Sequence, residues 1–292
     1  MTLVYACIAP HGTDIIPRLA TRTTLRSFEE TRKGIRILAR EVKRARPDTI
    51  IIASPHNLRI FRKIAIVTAE NSSGTLRGWN RPDRSVSMSV KCDVESAKEL
   101  LQEATSHRLP VVGVNYGTFE GEHSDMAMDW GTLVPLWFFI RENRIKPKVL
   151  IVTPSREIPL KQNVAFGRVI ARLCQKKRRK FVFVASADHA HAHRKDGPYG
   201  FHAAAAKYDR FVVEAIEKND LNRIMSLERN LVENAKPDSM WQMAILAGVL
   251  QQVRLEARLD SYQVPTYYGM ACAGFVPKEF LVSAKKRAEK GT

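Results

Sequence analysis

Short runs of β-branched and aliphatic residues recur along the chain. Between them lie longer stretches whose apolar residues return every three or four positions. The runs Thr2–Ala9, Thr49–Ala53, Lys63–Thr68, Val111–Val114, Val149–Val152 and Phe181–Ala185 end in polar or proline-bearing segments, which predicts strands. The stretches Thr21–Arg46, Asp93–Ser106, Leu133–Glu142, Leu160–Lys177, Ala203–Lys218, Leu221–Asn234 and Ser239–Val253 read as helices, with Asp93 as an N-terminal cap. Asn71-Ser72-Ser73-Gly74 reads as a turn and Pro265–Phe275 as a closing strand. This alternation predicts a single-domain α/β fold: a central, mostly parallel or mixed sheet with helices on both faces and its site at the C-terminal ends of the strands. The domain is expected over 1–277, followed by a basic C-terminal tail at 278–292.

Composition narrows the class. With 45% hydrophobic and 26% charged residues in 292, the chain has an ordinary globular balance and enough length to bury a full core. Extended disorder, collagen and coiled coil are excluded. No apolar run reaches the length of a membrane span, and the N-terminus lacks the basic lead of a signal peptide, so a cytoplasmic location is expected. Four scattered cysteines with no C-x-x-C spacing exclude zinc ribbons and dithiol redox motifs. Lys+Arg 47 against Asp+Glu 30 gives +17. The only tight basic cluster is Lys176-Lys177-Arg178-Arg179-Lys180, and no aromatic residues are interleaved with it. A solvated basic surface is therefore the reading, rather than a nucleic-acid interface.

The polar chemistry gathers at strand ends. One strand runs into Pro10-His11-Gly12, a second into Pro55-His56-Asn57, and Phe181–Ala185 into Ser186-Ala187-Asp188-His189-Ala190-His191-Ala192-His193. These three loops hold five of the eight histidines. Ligands of open α/β sheets bind beyond the strand C-termini. Two histidines from separate strand-end loops and one carboxylate would make a facial triad, which suits non-haem Fe(II); zinc accepts the same donors. The bland alternative is that His11 and His56 are loop histidines satisfied by backbone. In an extended Asp188–His193 segment, His189, His191 and His193 would share one face, with Asp188 on the other. Acid/base chemistry is the economical use of such a run. For the carboxylate, Asp238 and Glu233 are the candidates. Asp238 is equally a natural N-cap for the helix after Pro237.

APHG after the first strand, SPHN after the second, D-W-G-T-L-V-P-L at 129–136, and ASADHAH followed by D-G-P-Y-G-F together resemble the LigB-like class III extradiol ring-cleavage dioxygenases and their Memo-like relatives. The similarity runs from His11 to Phe275. It implies His11 and His56 as metal ligands, His191 as the acid/base histidine, and Asp238 at the third ligand position, where Glu is usual. It implies Fe(II), with zinc or another divalent ion as alternative, and a small aromatic of catechol or o-aminophenol type plus O2. Family members pair with themselves or with a small second subunit, so a homo-oligomer or such a partner is expected. Asp188 would orient the histidine cluster, with His189 as a further catalytic candidate. Trp130 stands where catalytic members often have a pocket histidine; His123 or His189 would then substitute. Tyr199 would line the pocket or simply hold a turn. A Memo-like protein with the metal pocket but no dioxygenase activity is the competing reading, and a zinc hydrolase is a third.

Overall fold

The computed structural model describes residues 2–116 and 123–278. Eleven strands are present among the described residues: β1 Leu3–Ala9, β2 Thr49–Ala53, β3 Ile64–Val67, β4 Asn71–Arg77, β5 Ser85–Lys91, β6 Val111–Val114, β7 Asp125–Ala127, β8 Lys148–Thr153, β9 Phe181–Ser186, β10 Glu256–Gln263 and β11 Met270–Val276. The α-helices are α1 Arg22–Ser27, α2 Glu29–Ala45, α3 Val94–Ser106, α4 Trp130–Leu136, α5 Leu160–Lys176, α6 Ala204–Glu217, α7 Arg229–Ala235 and α8 Met240–Leu250.

Eight strands form one mixed sheet in the order β10-β11-β1-β9-β2-β8-β3-β6. Its centre, β1, β9, β2 and β8, is parallel. The flanking pairs β1–β11, β10–β11 and β3–β8 are antiparallel. The central strands read as unbroken apolar runs because both faces are covered. Register sorts their side chains between two cores. Ile51 lies opposite Leu150 and Phe183, and all three pack under α3, α5, α6 and α8. Ile52 lies opposite Ile151 and Val184, and these pack under α2 and α4. The second face also carries a three-stranded sheet of order β5-β4-β7.

Helix α8 is apolar all round, as a helix enclosed on every side must be. It packs against α5 and β9. A Cβ on Gly167 or Gly248 would lie 1.9 Å from a backbone carbonyl oxygen of the other helix, so only glycine permits this crossing. The residue two places before α8 is Asp238.

Several elements depart from the sequence expectation. The helix expected over 21–46 is two, broken at Phe28, whose ring is buried. The stretch 71–74 is strand rather than turn, because β5 and β7 pair with it on either side. Residues 221–234 divide into a 3-10 segment at Leu221–Ser226 and α7. The helix expected from Leu133 begins at Trp130 and passes into a π-helical turn at Trp137–Glu142. The closing strand starts at Met270, and β10 was not anticipated. The basic cluster faces α3: Lys176 pairs with Glu103, Lys177 with Glu95 and Glu99, and Arg179 with Asp93 and Glu95. The tail from 279 onward lies outside the described residues. Among the described residues, no helix is long and apolar enough to cross a membrane.

Candidate metal centre

Three loops meet at the C-terminal ends of β1, β2 and β9. His11 follows β1, His56 follows β2, and Asp238 reaches them from the turn before α8. Their donor atoms converge. His11 Nε2 lies 3.1 Å from His56 Nε2 and 3.3 Å from Asp238 Oδ2, and His56 Nε2 lies 3.0 Å from the same oxygen. Metal–ligand bonds of about 2.1 Å at right angles place donors about 3.0 Å apart, and tetrahedral angles about 3.4 Å. The measured separations fit three adjacent positions of an octahedral ion. Two imidazole nitrogens and a carboxylate oxygen this close also need a proton or a cation among them, since bare lone pairs repel. The donor set thus fits a divalent metal. It is the group of candidate metal-binding side chains found among the described residues.

The surrounding groups fix these donors. The Ser186 hydroxyl donates to the Gly131 carbonyl and lies 3.0 Å from His11 Nδ1. Its single proton is thus committed, so Nδ1–H of His11 donates to Ser186, and the lone pair of the neutral ring sits on Nε2. The backbone N–H of His11 donates to Asp188 Oδ1 at 3.0 Å, and that of Asp188 to Asp238 Oδ1 at 3.2 Å. Asp238 caps no helix here; its carboxylate is turned to the two histidines. Asp129 caps α4 through Thr132 N–H and accepts from Ser54 Oγ and Asn57 Nδ2, pinning the loop that carries His56. A Cβ on Gly131 would meet Ser54 Oγ at 2.5 Å, Asp129 Oδ1 at 2.9 Å and His56 Cδ2 at 3.3 Å, so glycine lets this loop approach.

His11, Asp188 and Asp238 are 1%, 3% and 6% exposed. Burial alone would lower the His11 pKa, but Asp188 and Asp238 reverse this and push it up to about 9. Burial also opposes ionisation of both carboxylates. For Asp238, the two imidazoles prevail and hold the carboxyl well below the usual range. For Asp188, burial and the Asp238 charge prevail and raise it.

Strand pairing ends at Ser186, so the three following histidines share no face. His189 is buried with neither ring nitrogen hydrogen-bonded, and burial lowers its pKa. Its carbonyl accepts from His191 Nδ1 at 2.7 Å, which leaves the His191 lone pair on Nε2. The His191 ring stacks on Tyr268 at 5.2 Å and meets Tyr199 and Tyr267 edgewise or tilted at 5.7 and 5.9 Å. His193 turns instead to Asp209, at 2.8 Å. Asp188 does not face away from the site; its Oδ2 lies 3.5 Å from His11 Nε2. Trp130 is not core: it is 46% exposed and stacks on His56 at 4.2 Å. Tyr199 is also exposed. His123 lies exposed in the turn before β7. Glu233 pairs with Arg229 on α7.

Sequence reasoning missed Ser186, Asp129, Tyr267 and Tyr268. Only Asp129 carried a local sign, an Asp followed three residues later by Thr at a helix start.

Residues 5–275 match the family described as the catalytic LigB subunit of aromatic ring-opening dioxygenase. A protein of Clostridium acetobutylicum, CA_C1420, is 26% identical over 256 residues, which cover 88% of this chain and 54% of that protein. The chain thus spans about half the length of this relative. The crystal structure of an uncharacterized protein, JW3007, from Escherichia coli K12 superposes with a TM-score of 0.60 at 14% identity, covering 94% of this chain and 100% of that one. It shows a shared fold. The chain belongs to the family of the catalytic LigB subunit of aromatic ring-opening dioxygenases, with a candidate metal site at His11, His56 and Asp238.

Proposed function

We propose that this chain is a non-haem Fe(II) dioxygenase that opens a catechol-type or o-aminophenol-type ring beside its two heteroatoms. The observation that carries this reading is the convergence of His11, His56 and Asp238 within hydrogen-bonding distance of one another. His11, His56 and Asp238 would hold the ion. Fe(II) bound there would supply Lewis acidity toward the substrate hydroxyl and a site for O2. Ser186 keeps His11 in the tautomer that offers Nε2. His191 is the acid/base residue: its Nδ1–H is held by the His189 carbonyl, so Nε2 accepts the proton of a substrate hydroxyl and returns it later. Tyr268 fixes the plane of that ring by stacking. Trp130 and Tyr199 form aromatic walls that suit a planar substrate. Asp188 positions His11 through its backbone.

The second reading is a Memo-like protein that binds metal without ring cleavage. Trp130 favours it, because an indole stands over His56 where a histidine able to exchange protons is common in catalytic members. One experiment separates the two. The chain is loaded anaerobically with Fe(II), then given catechol, protocatechuate or 2-aminophenol under air. Ring-opened product by absorbance, lost in His11→Ala and His191→Ala, supports the dioxygenase. Tight, His11-dependent iron with no product on any of the three supports the second reading.

A further inference from the structure

Beside the His191 ring lies one peptide with both of its polar atoms spent. Its carbonyl, of His189, accepts from His191 Nδ1–H at 2.7 Å. Its N–H, of Ala190, donates to Asp209 Oδ1 at 2.9 Å. Asp209 stands on α6 and is 1% exposed. Its other oxygen accepts from His193 Nε2 at 2.8 Å and from the Tyr262 hydroxyl of β10 at 2.7 Å. Burial and the Asp209 charge push the Tyr262 phenol up, so it stays a donor. A Cβ on Gly269 would lie 1.9 Å from Asp209 Oδ2, so glycine is what admits the carboxylate here. The same glycine pairs with the neighbouring peptides, accepting from the His189 N–H at 2.7 Å and donating to the Ala190 carbonyl at 3.0 Å.

A buried carboxylate with three donors is well matched. One of those donors leads further. In a trans peptide the N–H and the C=O point to opposite sides, so this peptide joins the carboxylate to the imidazole. Drawing the N–H toward Asp209 puts more negative charge on the His189 carbonyl oxygen, since hydrogen bonds in a chain polarise one another. That oxygen holds the proton of His191 on Nδ1. A neutral imidazole has two tautomers, and only this one leaves the lone pair on Nε2.

We propose that Asp209 is a positioning residue for His191, acting through the His189–Ala190 peptide to hold the imidazole in the tautomer that accepts a proton at Nε2. The acid/base role of His191 rests on the ring-opening reading, but the chain of carboxylate, peptide and imidazole stands on its own geometry.

The test reads the ring nitrogens of His191 by nuclear magnetic resonance of the full chain carrying isotope-labelled histidine, at about pH 8.5, where an ordinary imidazole is neutral. His191→Gln identifies its signals. The native ring is expected in the Nδ1–H form. In Asp209→Ala the ratio of this form to the Nε2–H form falls about two- to tenfold, the reach of one neutral hydrogen bond. In Asp209→Asn it falls by less, because an amide carbonyl accepts more weakly than a carboxylate. In Tyr262→Phe, which takes a donor from the same carboxylate and leaves the Ala190 contact, the ratio stays. A native ring in the Nε2–H form, or a ratio unchanged in Asp209→Ala, would overturn the proposal. So would an equal fall in Tyr262→Phe, since that marks a general loosening. If Asp209→Ala does not fold, Asp209→Asn decides, and an unchanged ratio there counts against it. The ring-opening assay on the same preparations separates the two levels. With the native chain active, kcat falls in the order of the ratios while KM holds within about twofold, as for a group that acts after the substrate is bound. A graded ratio without ring opening keeps the Asp209 link and removes the dioxygenase. Ring opening with an unchanged ratio does the reverse.

Discussion

The Ser186 hydroxyl decides which nitrogen of His11 faces the candidate metal centre. Its proton goes to the Gly131 carbonyl, so its oxygen accepts from His11 Nδ1, and Nε2 is left to ligate. Ser186→Ala frees the ring to take the other tautomer. We expect metal affinity to fall about 10–100-fold, as for other partners that hold a metal-binding histidine. Competition with a chromophoric chelator measures it.

Asp238 supplies the one negative charge in the donor set, and Asp238→Asn keeps its shape. The amide can still accept from the Asp188 N–H. We expect the fold to persist by circular dichroism and metal affinity to fall by more than about 100-fold, beyond the loss for an outer partner. Uptake within tenfold of the native chain would remove Asp238 from the ligand set.

Acidity gives a signed test. His11 titrates at about 9 in the metal-free fold, against about 6.5 in an unfolded chain. Its proton therefore stabilises the metal-free fold fully below about pH 6.5, and that contribution is lost as pH rises through about 9. The midpoint of thermal unfolding of chelator-treated protein should decline across this window, and less so in His11→Ala. Metal uptake has the opposite slope. It displaces the proton, so apparent affinity climbs with pH and levels off above about 9. Calorimetry in buffers of different ionisation enthalpy counts the proton released.

Trp130 reports on the site because it stacks on His56. Addition of a paramagnetic divalent ion should quench tryptophan emission, and Trp130→Phe should remove most of the change. The ring is 46% exposed, so its replacement should move the unfolding midpoint by less than about 2 °C. A quench unchanged in Trp130→Phe would place the reporter elsewhere.

Gly131 is intolerant of any side chain. Gly131→Ala drives a methyl into Ser54, Asp129 and His56. We expect a loss of about 1–3 kcal/mol in stability from the overpacking, with weaker metal binding because His56 is displaced. Denaturant unfolding and the chelator assay together check it.

How much of this was written in the sequence varies by residue. His11 and His56 were legible because each follows a proline where an apolar run ends, and a strand end is where parallel sheets place ligands. Asp238 has no local mark. It reaches the site because α8 is pressed onto α5 by Gly167 and Gly248, a contact between distant segments. The histidines at 189, 191 and 193 misled, since alternation orders side chains only while a strand is paired. The polar run at 71–74 looked like a turn for the same reason inverted: neighbours on both sides make it a strand. The alternation of Val86, Met88 and Val90 in β5 was a signal that was available. Tyr268 owes its meaning entirely to the His191 ring that the fold sets beside it.

Asp238 lies 227 positions after its partner His11. A growing chain leaving the ribosome therefore carries the first imidazole long before the carboxylate exists. Until α8 has been made and seated, an ion at this place would lack the Asp238 carboxylate. An ion there would join segments far apart in the chain, at a point when β10 and β11, which extend the sheet beyond β1, are still to be made.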